Sequence, residues 1–210
     1  MNRPLLITDC DEVLLHMVKP FRDWLAEFHG IDFHWNGNDF AKAVHYVANG
    51  ELVPQKETWR LLGAFFETEM DRQYPIAGAI EAIGQIGREA DVVVLTNLQD
   101  HFNEARTAQL LSHGLNLKVF TNQGPKGPAL QKILTEYRPS RALFIDDIHH
   151  HHGSVADLAP DVHRLHLCGE PLLSPHIPCA HEAGMAHARI DNWNEALPWI
   201  AGKLYGESHD

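Results

Sequence analysis

The sequence predicts an α/β protein, a doubly wound, Rossmann-like parallel sheet carrying a small inserted helical domain. Two patterns predict it. Short β-rich apolar runs alternate with helix-length amphipathic segments over most of the 210 residues, and such alternation builds parallel sheets through crossover helices. Residues 16–74 break that alternation with helical periodicity and no convincing strand. A third observation concerns chemistry. The apolar runs end on, or lead shortly to, Asp, Thr, Asn and Lys, at the sheet edge where open α/β folds collect ligands.

The strands are read in order as Leu5-Leu6-Ile7, Val92–Leu95, Leu117–Phe120 and Ala142–Ile145. A fifth run, Val162–Leu167, alternates in polarity and is read as an edge strand. Between them, Ile76, Ala79, Ile80, Ile83 and Ile86 mark a helix over Ile76–Arg88. Asp100–His113 follows with Asp100 as its N-cap, then Pro128–Tyr137. Within the insertion three helical stripes are expected: Phe21/Trp24/Leu25/Phe28, Phe40/Ala43/Val44/Val47, and Trp59/Leu62/Phe66 supported by Leu61 and Phe65. Gly30, Gly37, Asn49-Gly50 and Pro54 punctuate them. The expected organisation is a core of residues 1–15 and 75–210 with a helical cap of residues 16–74. Periodicity alone allows the alternative, three further helices on the same core. Residues 169–181, with three prolines, are expected as a surface loop, and Asn192–Tyr205 as a closing helix.

Composition narrows the function. Hydrophobic residues are 44% and charged residues 21%, ordinary globular usage that argues against disorder. With 17 Lys and Arg against 28 Asp and Glu, the net charge is −11, and no basic cluster is present to meet a polyanion. Nucleic acid is therefore not expected as a partner. Apolar runs are too short to span a bilayer, so no membrane partner is expected either. Three scattered cysteines fit a reducing compartment, and with no signal-like leader the expected location is the cytoplasm. The 16 histidines make surface charge responsive to mild acid.

The polar residues at the strand ends form one set. The first strand runs into Asp9-Cys10-Asp11, the second into Thr96-Asn97, the third leads to Lys126, and the fourth ends in Asp146-Asp147. Carboxylates converging this closely repel one another unless a cation joins them, and all-oxygen ligation favours a hard ion such as Mg²⁺. Thr96 and Lys126 suit an anionic group beside that ion.

In order and spacing these four motifs resemble those of the haloacid dehalogenase superfamily, over residues 1 to about 160, and the insertion resembles that superfamily's small helical cap. The resemblance implies a Mg²⁺-dependent phosphatase of a small phosphorylated metabolite. Asp9 would be the nucleophile, and Asp11 the acid and then base. Asp9, the Asp11 backbone carbonyl and Asp146 would hold Mg²⁺, with Asp147 supporting it. Thr96, Asn97 and Lys126 would bind the phosphoryl oxygens. The second Asp, which family dehalogenases typically lack, favours phosphoryl transfer. Two departures stand out: Glu12 replaces the usual Gly, and Ile148 with the run His149–His152 replaces a further acidic or amide residue.

Other features have plainer readings. The histidine run is expected to be a solvated helix start at the site's rim, and His16 a loop histidine. Cys10 is read as a core thiol. His166, Cys168, Cys179 and His181 form a conceivable zinc set, though without a tight Cys-x-x-Cys spacing. Lys19, Arg22, Lys42, His45, Lys56 and Arg60 are cations of the insertion that could read a leaving group. A signalling receiver domain is rejected because its acidic pair comes first in the chain. A phosphosugar mutase and a binding or regulatory protein without turnover remain open alternatives, and the sequence sets no oligomeric state.

Overall fold

A computed structural model describes residues 2–35 and 40–206. In chain order the elements are β1 (Leu5–Thr8), α1 (Val18–His29), β2 (Ile31–Phe33), β3 (Val44–Tyr46), α2 (Gln55–Thr68), α3 (Ala79–Ile86) and β4 (Asp91–Thr96). There follow α4 (Asn103–Ser112), β5 (Lys118–Thr121), α5 (Gly127–Tyr137), β6 (Ala142–Asp146), α6 (His149–Leu158), β7 (His163–His166), β8 (Ala188–Arg189) and α7 (Trp193–Tyr205). No helix among the described residues is long and apolar enough to cross a membrane.

Six strands form one parallel sheet in the order β5-β4-β1-β6-β7-β8. β1 lies at its centre, with Leu5 level with Asp91 on one side and Ala142 on the other. Side chains alternate across it as strand geometry requires. Leu5 and Ile7 pack with Leu130, Ile133, Phe144 and Val155 under α5 and α6. Leu6 points the opposite way, into a core with Ile83, Leu143, Trp193 and Ile200 under α3 and α7. The indole of Trp193 is buried there and donates to the Val13 carbonyl at 2.8 Å, tying the last helix to the loop after β1.

The residues between β1 and α3 stay out of this sheet and build a third cluster around Phe21, Trp24, Leu25, Val44 and Phe65. Phe21 packs edge-on to Phe65 and stacks on Phe40 at centroid distances of 5.5 and 5.8 Å. This cluster also takes in Leu98 and Phe102 after β4, and Cys168 and Leu173 after β7. The insertion is thereby seated over the carboxyl edge of the sheet.

Several expectations need correction. The second insertion stripe is not a helix: a 3-10 turn at Phe40–Lys42 leads into β3, which pairs antiparallel with β2, Phe33 beside Val44 and Ile31 beside Tyr46. Apolar residues at Ile31, Phe33 and Val44 satisfy the two-residue period of a half-buried hairpin, and Val47 lies exposed beyond it. In α2 the buried stripe is Leu61, Phe65 and Phe66, while Trp59 is 49% exposed. Phe28 likewise leaves the core. Asp100 begins a 3-10 turn and accepts from the Thr121 hydroxyl at 2.7 Å instead of capping α4. β7 is not an edge strand, because β8 pairs outside it through Leu165–Ala188 and His166–Arg189. A two-residue strand leaves no periodic trace in sequence. Gly37 lies outside the described residues. Asn192 caps α7, its side chain accepting from the Glu195 N–H at 3.0 Å.

Gly127, next to Lys126, is where α5 touches α6. A Cβ there would collide with the Ser154 carbonyl and hydroxyl. Gly127→Ala is expected to lose about 1–3 kcal/mol by overpacking, read as a lower urea midpoint with an unchanged m-value.

Candidate active site

The carboxyl edge of the sheet gathers the polar residues that follow the strands. Directly after β1, Asp9 keeps one carboxylate oxygen on the Cys10 N–H at 2.7 Å. Its other oxygen lies 2.8 Å from the Lys126 ammonium, which comes from the start of α5. The same ammonium reaches Asp146, the last residue of β6, at 2.6 Å. Asp146 is aligned in turn by the Ile148 N–H at 2.9 Å. Asp147 completes the group: Asp9, Asp146 and Asp147 each offer a ligand atom within 4.8 Å of the others, and all three are buried.

One buried ammonium thus faces three buried carboxylates. Burial pushes the Asp9 carboxyl up to about 7 despite the pull of Lys126, and Asp147 is pushed well above its usual range by burial and by its acidic neighbours. For Asp146 burial acts in the same direction, but Lys126, with His151 and His152, outweighs it and holds the group below its usual value. A set of hard oxygens whose excess negative charge makes ionisation costly fits a divalent cation such as Mg²⁺.

Asp11 is held differently. Its Oδ1 accepts from Arg106 at 2.9 Å and from Gln73 at 2.6 Å, and Oδ2 accepts from the same guanidinium nitrogen at 3.1 Å. Arg106 is completely buried, and its other terminal nitrogen donates to Cys10 Sγ at 3.0 Å. The Cys10 thiol is pushed up to about 12, chiefly by burial, as suits a core thiol. Thr96 ends β4 with a buried hydroxyl that has no hydrogen-bond partner, on the wall of the same cavity as Asp9. Asn97 uses its side chain to fix the following loop, donating to Gly124 O at 3.0 Å and accepting from Asn122 at 2.8 Å.

Glu12 explains its own departure. It sits at φ +59°, the left-handed region that favours glycine and costs other residues about 1 kcal/mol. Its Oε1 accepts from the Met17 and Val18 N–H groups at 2.9 and 2.5 Å, so the carboxylate caps α1. That bond offsets the strain by a similar amount.

The histidine run is the expected solvated helix start only for His149 and His150, which begin α6 at the cavity. His151 and His152 are buried on the inner side of the same helix. His152 Nε2 donates to the Asp146 carbonyl at 3.0 Å, and His166 Nε2 to the Asp147 carbonyl at 2.8 Å. Two imidazoles therefore anchor the backbone of the acidic pair. The conceivable zinc set of His166, Cys168, Cys179 and His181 does not assemble. Both His166 nitrogens are engaged by backbone, Nδ1 accepting from Ala180 N at 3.0 Å, and the quartet is not among the metal-ligand groups of the described residues.

Above the acids lies a cavity of about 390 Å³. Its upper wall is apolar: Met17, Trp35, Phe40, Trp59, Leu62 and Phe66 from the insertion, Leu173 and Ile177 from the loop after β7. None of the insertion's expected cationic readers lines it; Lys19 and Arg22 line a neighbouring cavity of about 310 Å³. Sequence reasoning missed Arg106, Gln73 and this apolar wall. A signal existed for Arg106: it falls on the α4 stripe of Phe102, Arg106, Gln109 and Leu110, where a charge at a core position asks for a buried partner.

No protein-family model matches the chain, and no curated protein matches it. Solved structures do match. The chain is similar to a haloacid dehalogenase-like family hydrolase from Streptococcus pneumoniae, with TM-score 0.64 and 9% identity, over 95% of this chain and 98% of that one. It is similar to a HAD family hydrolase from Deinococcus radiodurans with bound phosphate and sodium, with TM-score 0.63 and 18% identity, over 97% and 98%. A HAD-superfamily hydrolase from Geobacter sulfurreducens matches at TM-score 0.58 and 19% identity, over 94% and 96%. At these identities the likeness carries the fold alone.

Burial holds the His151 and His166 rings down at about 4. Between about pH 4 and 6.5 the unfolded chain binds protons there that the folded chain does not. Their contribution to stability is complete above 6.5 and is lost as pH falls towards 4. NMR titration is expected to find both rings neutral at pH 5.5; a normal midpoint near 6.5 in either would contradict the burial described.

Proposed function

We propose that this chain, which has the haloacid dehalogenase-like fold, is a Mg²⁺-dependent phosphomonoesterase acting on a small phosphorylated compound. The observation that carries the reading is the buried Asp9–Lys126–Asp146 array, with Asp147, at the floor of a cavity walled by the insertion. Residues 16–74 serve as the cap that closes over substrate and keeps bulk water out. Three free cysteines fit a cytoplasmic enzyme.

Asp9, Asp146 and Asp147 would hold the metal, joined by the backbone carbonyl of Asp11. Bound there, Mg²⁺ would offset the charge between the carboxylate and the phosphoryl oxygens. The remaining chemistry belongs to the chain. One carboxylate oxygen of Asp9, giving up its contact with Lys126 or the Cys10 N–H, attacks phosphorus in line, and the ester P–O bond breaks with its electron pair going to the leaving oxygen. Asp11 supplies that oxygen's proton, so the alcohol departs and Asp9 is left phosphorylated. A water then attacks the same phosphorus. Asp11 takes the proton from it, and cleavage of the acyl phosphate frees phosphate and restores Asp9. Thr96 donates its unpartnered hydroxyl to a phosphoryl oxygen, with Asn97 beside it, while Lys126 adds positive charge and keeps Asp9 aligned. To act, Asp11 has to release a hydrogen bond to Arg106 or Gln73.

The apolar wall narrows the leaving group. Trp59 stacks on Phe40 with centroids 5.7 Å apart, and together with Phe66 and Leu62 they offer little to bind a polyhydroxylated sugar. This favours an ester with a flat or apolar leaving group and disfavours the mutase alternative. One observation favours a protein without turnover: both Asp11 oxygens are held by a buried arginine.

Phosphate release from an aryl phosphate and a panel of metabolite phosphates, with and without Mg²⁺, decides between these. Turnover is expected only with Mg²⁺, and Asp9→Asn is expected to lower it by about 10⁴-fold or more. Mg²⁺ and phosphate binding without turnover of any ester would instead establish the binding-protein reading. Trp59→Ala is expected to lower kcat/KM about tenfold for aryl phosphate while leaving glycerol phosphate little changed, measured side by side.

A further inference from the structure

We propose that Glu12, His16 and Glu170 form a second metal site, separate from the aspartate cluster and suited to a transition-metal ion such as Zn²⁺ or Mn²⁺. Each offers a ligand atom within 4.8 Å of the other two. Glu12 and Glu170 are almost fully buried, and His16 is partly so. The trio's two glutamates lie where two cavities meet: Glu12 lines the main one, Glu170 its neighbour, and Val18, Trp35 and Leu173 wall both.

The distribution of hydrogen bonds leaves one carboxylate oxygen over, on Glu12. Glu12 gives Oε1 to the Met17 and Val18 N–H groups, and its Oε2 is buried with no partner at all. A buried carboxylate oxygen left bare is costly unless something positive meets it or the group takes up a proton, and burial pushes the Glu12 carboxyl up to about 8. Glu170 gives Oε1 to the Leu172 N–H at 2.8 Å, and turns Oε2 towards His16 Nδ1 at 2.9 Å. That separation is the spacing of two atoms that share one metal as well as of two that share one proton. The scaffold is firm: Gly169 N donates to the Glu12 carbonyl at 2.7 Å, and the His16 ring packs on Tyr74 with centroids 4.7 Å apart.

Chemistry sets the class of ion. One imidazole nitrogen with two carboxylates suits the borderline transition metals, whereas Mg²⁺ takes oxygen ligands. The backbone N–H groups on both glutamates fix the oxygens not used, the arrangement that orients ligands at metal centres. Three protein ligands leave coordination positions open towards the cavities. The inference does not depend on phosphatase activity.

The test is a Co²⁺ titration of metal-stripped protein under saturating Mg²⁺, followed by visible d–d absorption. One equivalent is expected to bind and colour the protein, and to persist in Asp147→Asn. His16→Ala and Glu170→Gln are each expected to weaken it at least about tenfold. Glu170→Gln is isosteric and can still accept from Leu172, so it decides the matter if His16→Ala fails to fold. Absence of colour under Mg²⁺, or colour unchanged in Glu170→Gln, would overturn the proposal. In that event the trio is a polar strap, and the variants would alter only thermal stability.

Discussion

The Lys126 ammonium is the interaction on which the rest of the structure depends. It is fully buried between Asp9 and Asp146, so it draws the ends of β1 and β6 to the start of α5. Burying any one of these charges alone would be prohibitive; together they are tolerable because each is also hydrogen-bonded. Asp9 leans on the Cys10 N–H, and Asp146 on the Ile148 N–H. The surrounding elements are placed to hold that arrangement in position. Gly127 lets α5 sit against α6, and His152 and His166 pin the carbonyls of Asp146 and Asp147 from beneath.

A second buried pair, Arg106 with Asp11, is organised on the same principle but serves a different end. Arg106 reaches in from α4, and Gln73 from the end of the insertion, so two separate parts of the chain converge on one carboxylate. Asp11 is thereby held apart from the acidic trio although only one residue separates it from Asp9. Two carboxylates of a three-residue motif thus stand in distinct environments, one facing an ammonium and backbone, the other a guanidinium and an amide. In the proposed reaction that division would let the two acids take different parts.

Much of this was legible in the sequence, for a physical reason. Buried parallel strands need continuous apolar runs, so Leu5–Ile7, Val92–Leu95 and Ala142–Ile145 announce themselves, and their ends fall where ligands bind. Asp9, Thr96 and Asp146 could therefore be picked out together at strand ends, whereas Lys126, beyond the end of β5 at Thr121, gained weight only from their company. The hairpin of β2 and β3 could not, because Phe40, Ala43, Val44 and Val47 match a helical spacing equally well and three-residue strands are too short to contradict it. Nor could the burial of His151 and His152, since polarity suggested solvent and only the fold supplies the carbonyl that His152 meets. Glu12 shows a further limit. A non-glycine residue in a left-handed turn looks like damage until the N–H groups it caps are in view.

The aromatic cluster of the insertion has a consequence for how the chain folds. Phe21, Val44 and Phe65 do not close their core alone; Leu98 and Phe102 from beyond β4, and Cys168 and Leu173 from beyond β7, complete it. Those contacts join segments far apart in sequence, so they form late and only after the sheet has brought them together. The insertion cannot then be an autonomous module that melts by itself while the sheet persists. Heating should take both through one cooperative transition, and cutting the insertion out should leave a core with bare apolar loops that is prone to self-association.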